Sequence, residues 1–380
     1  MYRGVAIITH EFVPFSGGMA TYANEMAREL VKRGIEVEVI APEYEVDSAP
    51  VALPYPVTRA LHHHRLTLVG IVKAVRAILR QPADRFLHAS DIRAALLLLL
   101  VRLMSGRRFG VMIHGSEVSK LGGRSVGARI SRIAYQSADV IFSNSQATLD
   151  IYRKYGGDNV PGRVTFLGID KRWFSECAEG FEHRELSELD RGAVFICTVG
   201  RIERRKGHDD VIRAMALWSE LRRRLVTYVV AGPVVDEVFR NEIEALAIAS
   251  GIRVIFAGRL SEADLRVLYF RCAAHVLAAV PLDGKVEGFG FVLLEAGAQG
   301  APSVATCVGG IPEVVIDNVS GLLVLPGDVA GISRALENIL DDASLREKLG
   351  RAAKARAASF TWGACVDRTY RDIVAGVSDC

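Results

Sequence analysis

Short apolar runs of strand length recur along this chain, and each is followed by a turn carrying glycine or proline and then by a stretch with helical periodicity. The first fifty residues hold a complete example. Residues 5–9 read as a buried strand, 11–18 as a glycine-bearing loop, 19–32 as an amphipathic helix stopped by Gly34, and 37–41 as a second strand. Strands that are apolar throughout must be covered on both faces, and strands joined through helices run parallel. Further strands are expected at 110–114, 140–144 and 164–167, with helices over 67–79 and 127–138. That is an α/β domain of the doubly wound kind.

After a polar, irregular stretch the pattern restarts. Residues 193–199 form a new apolar run ending at Gly200, followed by strands at 225–231, 254–257, 274–278, 303–306 and 321–324 and helices at 209–220 and 238–250. A chain of 380 residues exceeds one comfortable core, so two domains are expected. We place them at 1–170 and 193–358, with a linker over 171–192 and a terminal segment over 359–380. Gly200, Gly232-Pro233, Gly258 and Pro281 punctuate strand ends, so functional loops should gather at the carboxyl edge of the second sheet, facing a crevice between the domains.

Half the residues are hydrophobic and 24% are charged, a composition that excludes disordered and fibrous classes. The cysteines Cys177, Cys197, Cys272, Cys307, Cys365 and Cys380 lie far apart, which excludes a disulfide scaffold or a close-paired zinc site and fits a reducing, cytoplasmic setting. The opening apolar run is too short for a signal peptide. The longest one, between Arg93 and Met104, falls short of the roughly 20 residues that span a bilayer.

Net charge is only +3, yet from Arg59 to Arg132 fourteen Lys or Arg face only Asp84, Asp91 and Glu117. Two readings stay open: outward helix charges, or a basic face that contacts anionic lipid, with the leucines at 96–100 beside Arg102, Arg107 and Arg108 as either a core helix or an interfacial contact. Nucleic acid is not expected, because no aromatic residues interleave with the cations.

Two segments carry chemistry. Gly200-Arg-Ile-Glu-Arg-Arg-Lys-Gly207 lies between a strand and a helix, where Arg201 can fork two hydrogen bonds onto a phosphate and Lys206 adds a point charge. The bland alternative is a solvated basic turn. In Glu287-Gly-Phe-Gly-Phe-Val-Leu-Leu-Glu295 the first carboxylate sits in a loop and the second in the helix that follows. The amides of Gly288, Phe289, Gly290 and Phe291 open that helix toward an anion. Either glutamate could instead be an ordinary loop or helix-surface acid. No Asp-x-Asp motif for a metal occurs, and His62-His-His64 lacks acidic or cysteine partners.

The Arg-then-Lys turn, the paired glutamates and Gly309-Gly-Ile-Pro-Glu313 together resemble family 4 of the retaining glycosyltransferases, over nearly the whole chain. The resemblance implies the GT-B architecture, two Rossmann-like doubly wound domains facing each other across a cleft. It implies a nucleotide-sugar donor, GDP-mannose or a UDP-sugar, held mainly by the second domain, and a glycan, glycolipid or lipid-linked acceptor on the first.

By the same resemblance Arg201 and Lys206 hold the donor diphosphate, Glu287 the sugar and Glu295 the ribose, with Arg259 near the base. Gly17 and Gly18, in Phe15-Ser-Gly-Gly-Met19, present amides to the diphosphate, and His114 touches the transferred sugar. Neither cofactor nor metal is expected. The implied setting is synthesis of a surface polysaccharide or lipopolysaccharide by a cytoplasmic enzyme, peripheral on the inner face of the membrane. Phe291 stands where a smaller aliphatic residue is frequent, and residues 283–286 lengthen the loop before Glu287.

A dinucleotide oxidoreductase is disfavoured, because only Gly17-Gly18 follows the first strand and Leu293 replaces the third glycine of a fingerprint begun at Gly288. An epimerase, a phosphorylase or a non-catalytic sugar-nucleotide binder remains the alternative. Trp362 is expected as a packing anchor in a terminal helix that crosses back to the first domain.

Overall fold

The computed structural model describes residues 1–14, 17–44, 52–62, 67–282 and 284–377. Phe15, Ser16, His63, His64, Arg65, Asp283 and Cys380, used in the sequence reading, lie outside the described residues. The chain divides into two units, Met1–Gly168 with Thr361–Cys380, and Ile169–Phe360.

The first unit begins with β1 (Gly4–Ile8), α1 (Gly18–Lys32), β2 (Glu36–Glu43) and β3 (Val57–His62). It continues through α2 (Leu68–Leu79), β4 (Arg85–Ala89), α3 (Ile92–Ser105), β5 (Phe109–Ile113), a single turn α4 (Ser116–Ser119), α5 (Val126–Gln136), β6 (Val140–Ser143), α6 (Gln146–Gly156) and β7 (Gly162–Val164). All neighbouring strands are parallel, in the order β3-β2-β1-β4-β5-β6-β7. Every residue of β1, β5 and β6 is buried, as strands covered on both faces require.

Four helices start where a short polar side chain can take an orphan amide. Thr67, Asp91, Ser125 and Ser145 accept from the amides of Gly70, Ala94, Ala128 and Thr148 at 2.9–3.2 Å. Helices α2, α3, α5 and α6 share one core with the strands. All four lie on strand-to-strand crossovers that progress in the same direction, which puts them on one face of the sheet. The reversed crossover α1 takes the other face.

In the second unit β8 (Val194–Val199) restarts the pattern, followed by α7 (His208–Ala216), α8 (Glu220–Leu225), β9 (Val226–Ala231), α9 (Glu237–Ala249), β10 (Val254–Gly258) and α10 (Glu262–Arg271). Then come β11 (Ala274–Leu277), α11 (Phe291–Ala298), β12 (Ser303–Thr306), α12 (Ile311–Val314), β13 (Leu322–Val324), α13 (Val329–Asp341) and α14 (Ala343–Ala358). The parallel order is β10-β9-β8-β11-β12-β13. Both units are therefore Rossmann-like, the pair of domains that the GT-B expectation called for.

Some expectations need correction. The helix expected over 209–220 breaks into α7 and α8, with Ser219 capping the second through the amide of Arg222. Residues 171–192, read as a linker, belong to the second unit, because Trp173, Leu186 and Leu189 are buried and Phe181 packs on Phe195. The leucine run is mostly core: Leu97 and Leu98 are buried in α3, and only Leu100 is exposed. No helix among the described residues is long and apolar enough to cross a membrane.

The last helix, α15 (Trp362–Tyr370), packs in the first unit against α1. Trp362 is buried with its ring centroid 6.2 Å from that of Tyr22, and Arg33 clamps the helix through Asp367 at 3.0 Å and the Gly363 carbonyl at 3.1 Å. Contact is so close that a Cβ on Gly168 would lie 2.2 Å from the Trp362 amide nitrogen. Trp362→Ala is expected to destabilise the first unit by about 3–5 kcal/mol, read from urea unfolding followed by an amide-exchange probe in that unit.

Candidate active site

Both sheets reverse their winding at one point, between β8 and β11 in the second unit and between β1 and β4 in the first. Loops leaving the carboxyl ends of those strands diverge there and open a crevice.

In the second unit the loop after β8 is set by two glycines. Gly200 has φ +152° and Gly207 has φ +68°, and a Cβ on Gly207 would lie 1.9 Å from the Ala278 carbonyl oxygen. Between them residues 204–206 make one tight turn. Below the loop Tyr228 donates to Thr198 Oγ1, which donates to the Val276 carbonyl, both at 2.8 Å, so the strand end is tied across the switch point. His208 lies 3.2 Å from Tyr228 Oη, and burial pushes its imidazole down to about 4, which keeps it neutral beside Lys206.

The turn buries Arg205 and Lys206 and leaves Arg201 exposed. Lys206 Nζ lies 2.6 Å from Glu287 Oε2, and Arg205 Nη1 reaches the same oxygen at 2.9 Å. Arg205 Nη2 also bonds Glu203 Oε1 at 2.9 Å, and Arg201 Nη2 meets that oxygen at 3.1 Å. Five charges thus form one chain, Arg201–Glu203–Arg205–Glu287–Lys206. Buried charges persist only when paired in this way. Burial pushes the Glu287 carboxyl up, but Lys206 and Arg205 outweigh it and hold it at about 2.

Glu287 stands in the loop after β11, braced from behind. Its carbonyl accepts from the Gly310 amide at 3.0 Å, and a Cβ on Gly309 would lie 1.9 Å from the same oxygen. The Gly309–Glu313 segment therefore acts on Glu287 through its backbone. Gly290, at φ +81°, turns the chain into α11, and Phe289 anchors the turn with its ring 5.8 Å from that of Phe360.

Glu295 follows one turn into α11 and is half-buried, which rules out the plain surface-acid reading. Burial pushes its carboxyl up to about 8 despite the hydrogen bond donated by Tyr269 at 3.2 Å. The two glutamates, alike in sequence, are thus driven in opposite directions. Arg259 lies just past β10, exposed and without an ion pair among the described residues.

In the first unit Gly17 caps α1 in an extended conformation, no side-chain hydrogen bond reaches the first-turn amides among the described residues, and a Cβ on Gly18 would meet nothing within 4 Å. His114 follows β5, its Nε2 3.0 Å from the Ser90 carbonyl oxygen and its ring edge-on to Tyr22 at 5.3 Å. Sequence reasoning missed a buried pair at this switch point. His10 Nδ1 lies 3.1 Å from Asp91 Oδ1, and the His10 amide donates to Oδ2 at 2.8 Å. Burial pushes the Asp91 carboxyl up, but His10 more than reverses that.

Arg205 was also missed, since three successive cations give no sign of which of them face inward. Among the described residues no group of three or more His, Cys, Asp or Glu side chains is placed to hold a metal ion.

A family model described as glycosyl transferases group 1 matches residues 181–356, and one described as glycosyltransferase family 4 matches residues 16–173. The chain is 31% identical to the D-inositol 3-phosphate glycosyltransferase of Salinispora tropica, over 94% of this chain and 80% of that enzyme. Among solved structures it resembles the sucrose-phosphate synthase of Thermosynechococcus elongatus, with a TM-score of 0.80, 21% identity and coverage of 98% and 99% of the two chains. HepE of Anabaena, solved with UDP and glucose, gives a TM-score of 0.76 at 18% identity, again over 98% and 99%. These two likenesses show the GT-B fold.

The folded carboxyl of Glu287, at about 2, lies below its ordinary 4.5, so the stability it contributes is present above pH 4.5 and is lost as pH falls toward 2. Glu287→Gln is expected to lower stability at neutral pH by about 3 kcal/mol and to flatten the acid limb of a melting-temperature profile. Arg205→Gln should move that limb upward in pH, whereas exposed Arg201→Gln should leave it nearly unchanged.

Proposed function

The chain belongs to the glycosyl transferases group 1 of family 4, and from that premise we propose a retaining transfer of a hexose-type sugar from a nucleotide diphosphate to a glycan, glycolipid or lipid-linked acceptor. The observation that supports this reading best is the buried pair Arg205–Lys206 on Glu287, at the carboxyl switch point beside the opening turn of α11.

On this reading the donor diphosphate competes with carboxylates for the cations. Arg201 leaves Glu203 and Lys206 leaves Glu287 to meet the phosphates, neutralising charge that grows as the bond from the sugar to phosphate breaks. The amides from Gly288 to Phe291 and those of Gly17 and Gly18 add fixed dipoles without a divalent ion. Glu287, relieved of one cation, accepts from sugar hydroxyls. Glu295 accepts from the ribose, Arg259 flanks the base and His114 touches the transferred sugar.

The acceptor oxygen bonds to the anomeric carbon on the face from which phosphate departs, and its proton goes to the leaving phosphate oxygen. No protein nucleophile is required. The biological setting proposed is surface-polysaccharide synthesis, lipopolysaccharide included, on the cytoplasmic side of the membrane. The Salinispora relative is named for transfer to D-inositol 3-phosphate, so a phosphorylated polyol joins the acceptors to be screened.

Calorimetric titration with GDP-mannose, UDP-glucose, UDP-N-acetylglucosamine and UDP-galactose, with and without EDTA, tests the donor site. Selective binding indifferent to EDTA is expected, weakened about 10–100-fold in Lys206→Ala through loss of a charge-assisted hydrogen bond. Absence of binding to all four would count against the proposal.

A second expectation concerns protons. Because Glu295 sits at about 8 it is mostly protonated at neutral pH, and ionising it makes it the better acceptor for two ribose hydroxyls. Donor binding should then release a proton, seen as a dependence of binding enthalpy on buffer ionisation enthalpy, and Glu295→Gln should abolish that dependence.

A further inference from the structure

Three neighbouring helices of the first unit contain no acid. None of the 12 residues of α2, the 14 of α3 or the 11 of α5 is Asp or Glu. Helix α3 packs against both α2 and α5, and the three lie on one face of the sheet.

Their outward surfaces are aliphatic. Leu68 and Val69 on α2 are 81% and 78% exposed, Leu103 and Met104 on α3 are 76% and 68%, and Val126 and Ile130 on α5 are 72% and 46%. Arg76 and Arg80 stand at the α2 side, Arg124 and Arg129 at the α5 side, all four exposed and without an ion pair among the described residues. Most other described cations of this basic stretch are already engaged, Lys120 being exposed and without an ion pair among the described residues. Arg102 and Arg108 pair with Asp139, Arg85 with Glu36 and Glu38, and Arg107 caps the carbonyls that follow α2. Among the described residues the acid-free area ends at Glu43 on one side, which pairs with Lys73 of α2, and at α6 on the other, where Asp150 pairs with Arg153.

From this we infer that the outward face of α2, α3 and α5 docks on an anionic lipid bilayer. Aliphatic side chains flanked by unpaired cations match the two layers they would meet, acyl carbon below and phosphate above. A nucleic-acid platform would need exposed aromatic rings for stacking, and a protein interface would be expected to carry them at its centre; the exposed surface of these helices has none. A groove of about 590 Å³ between α2 and the edge strand β3, lined by Leu68, Val69 and Val72 beside Arg76 and Arg80, adds room for the apolar part of a lipid. The docking site differs from the one expected from sequence, since Leu97 and Leu98 are core and Arg102, Arg107 and Arg108 are engaged.

The inference gives a location to the lipid-linked reading above, but it is tested without donor or acceptor. Full-length protein is floated with phosphatidylcholine vesicles, with and without phosphatidylglycerol, at low and high salt. Flotation with the anionic vesicles alone, reduced by salt, is expected. The variant R76Q/R80Q/R124Q/R129Q should bind at least ~100-fold more weakly, because each near-surface cation contributes roughly a fivefold gain in partitioning. L103S/M104S should lose the part that survives salt.

All these positions are exposed, and unchanged thermal melts would confirm intact folding. Wild-type protein that stays with the soluble fraction at low salt, or a charge variant that floats like wild type, would overturn the inference. So would a dimer dissolved by L103S/M104S in the absence of vesicle binding, which would assign the face to a second copy. Protein that floats yet binds no nucleotide sugar would uphold the docking face and defeat the transferase proposal alone.

Discussion

A parallel sheet covered by helices on both faces can offer a ligand only its ends. This constraint governs each unit: the central strands are buried along their length, polar groups that could meet a substrate are pushed to the loops, and the loops diverge where the winding reverses. The functional candidates of the second unit follow β8, β10 and β11, and those of the first follow β1, β4 and β5. Chemistry is localised here by topology before any particular side chain is considered.

What topology leaves undecided is settled by charge. Two cations cannot be buried side by side without an anion, and Glu287 supplies it through a single oxygen shared by Lys206 and Arg205. The glycine pair behind it fixes the carboxylate from the other side. A Cβ at 309 would displace the Glu287 backbone, and with it the one carboxylate oxygen that both cations share. Glu295, eight positions later, has no ion pair among the described residues and is held largely neutral by the same burial. One segment thus offers an anionic and a mostly protonated carboxyl at neutral pH.

The architecture was largely legible in the sequence because apolar runs and glycine stops report burial and turning directly. Strand β12 falls at residues 303–306 as expected, and α1 begins within one residue of its expected start. Strands β3 and β4 were not legible: β3 is an edge strand with a half-polar sequence, and β4, RFLHA, opens on a charged arginine and hides a buried histidine.

At the candidate site, residue types and spacing located Lys206, Glu287 and Glu295. They could not reveal that Arg205 rather than Arg201 turns inward, because that depends on the pitch of a single tight turn. Nor could they pair His10 with Asp91, eighty-one positions apart and joined only by the sheet. The lopsided basic stretch was visible too, but which of its cations remain unspent is a property of the fold.

The layering of the first unit has a geometric corollary. Helices α2, α3 and α5 lie flat across one face of the sheet, and α1 and α15 occupy the other. With the acid-free face resting on a bilayer, the strands run parallel to the membrane plane and one helix thickness above it, about 10 Å. Their carboxyl ends then point sideways, skimming the headgroups, so that an acceptor anchored in the leaflet would approach Gly17 and His114 by lateral diffusion in two dimensions, and the search for substrate would become a matter of surface density.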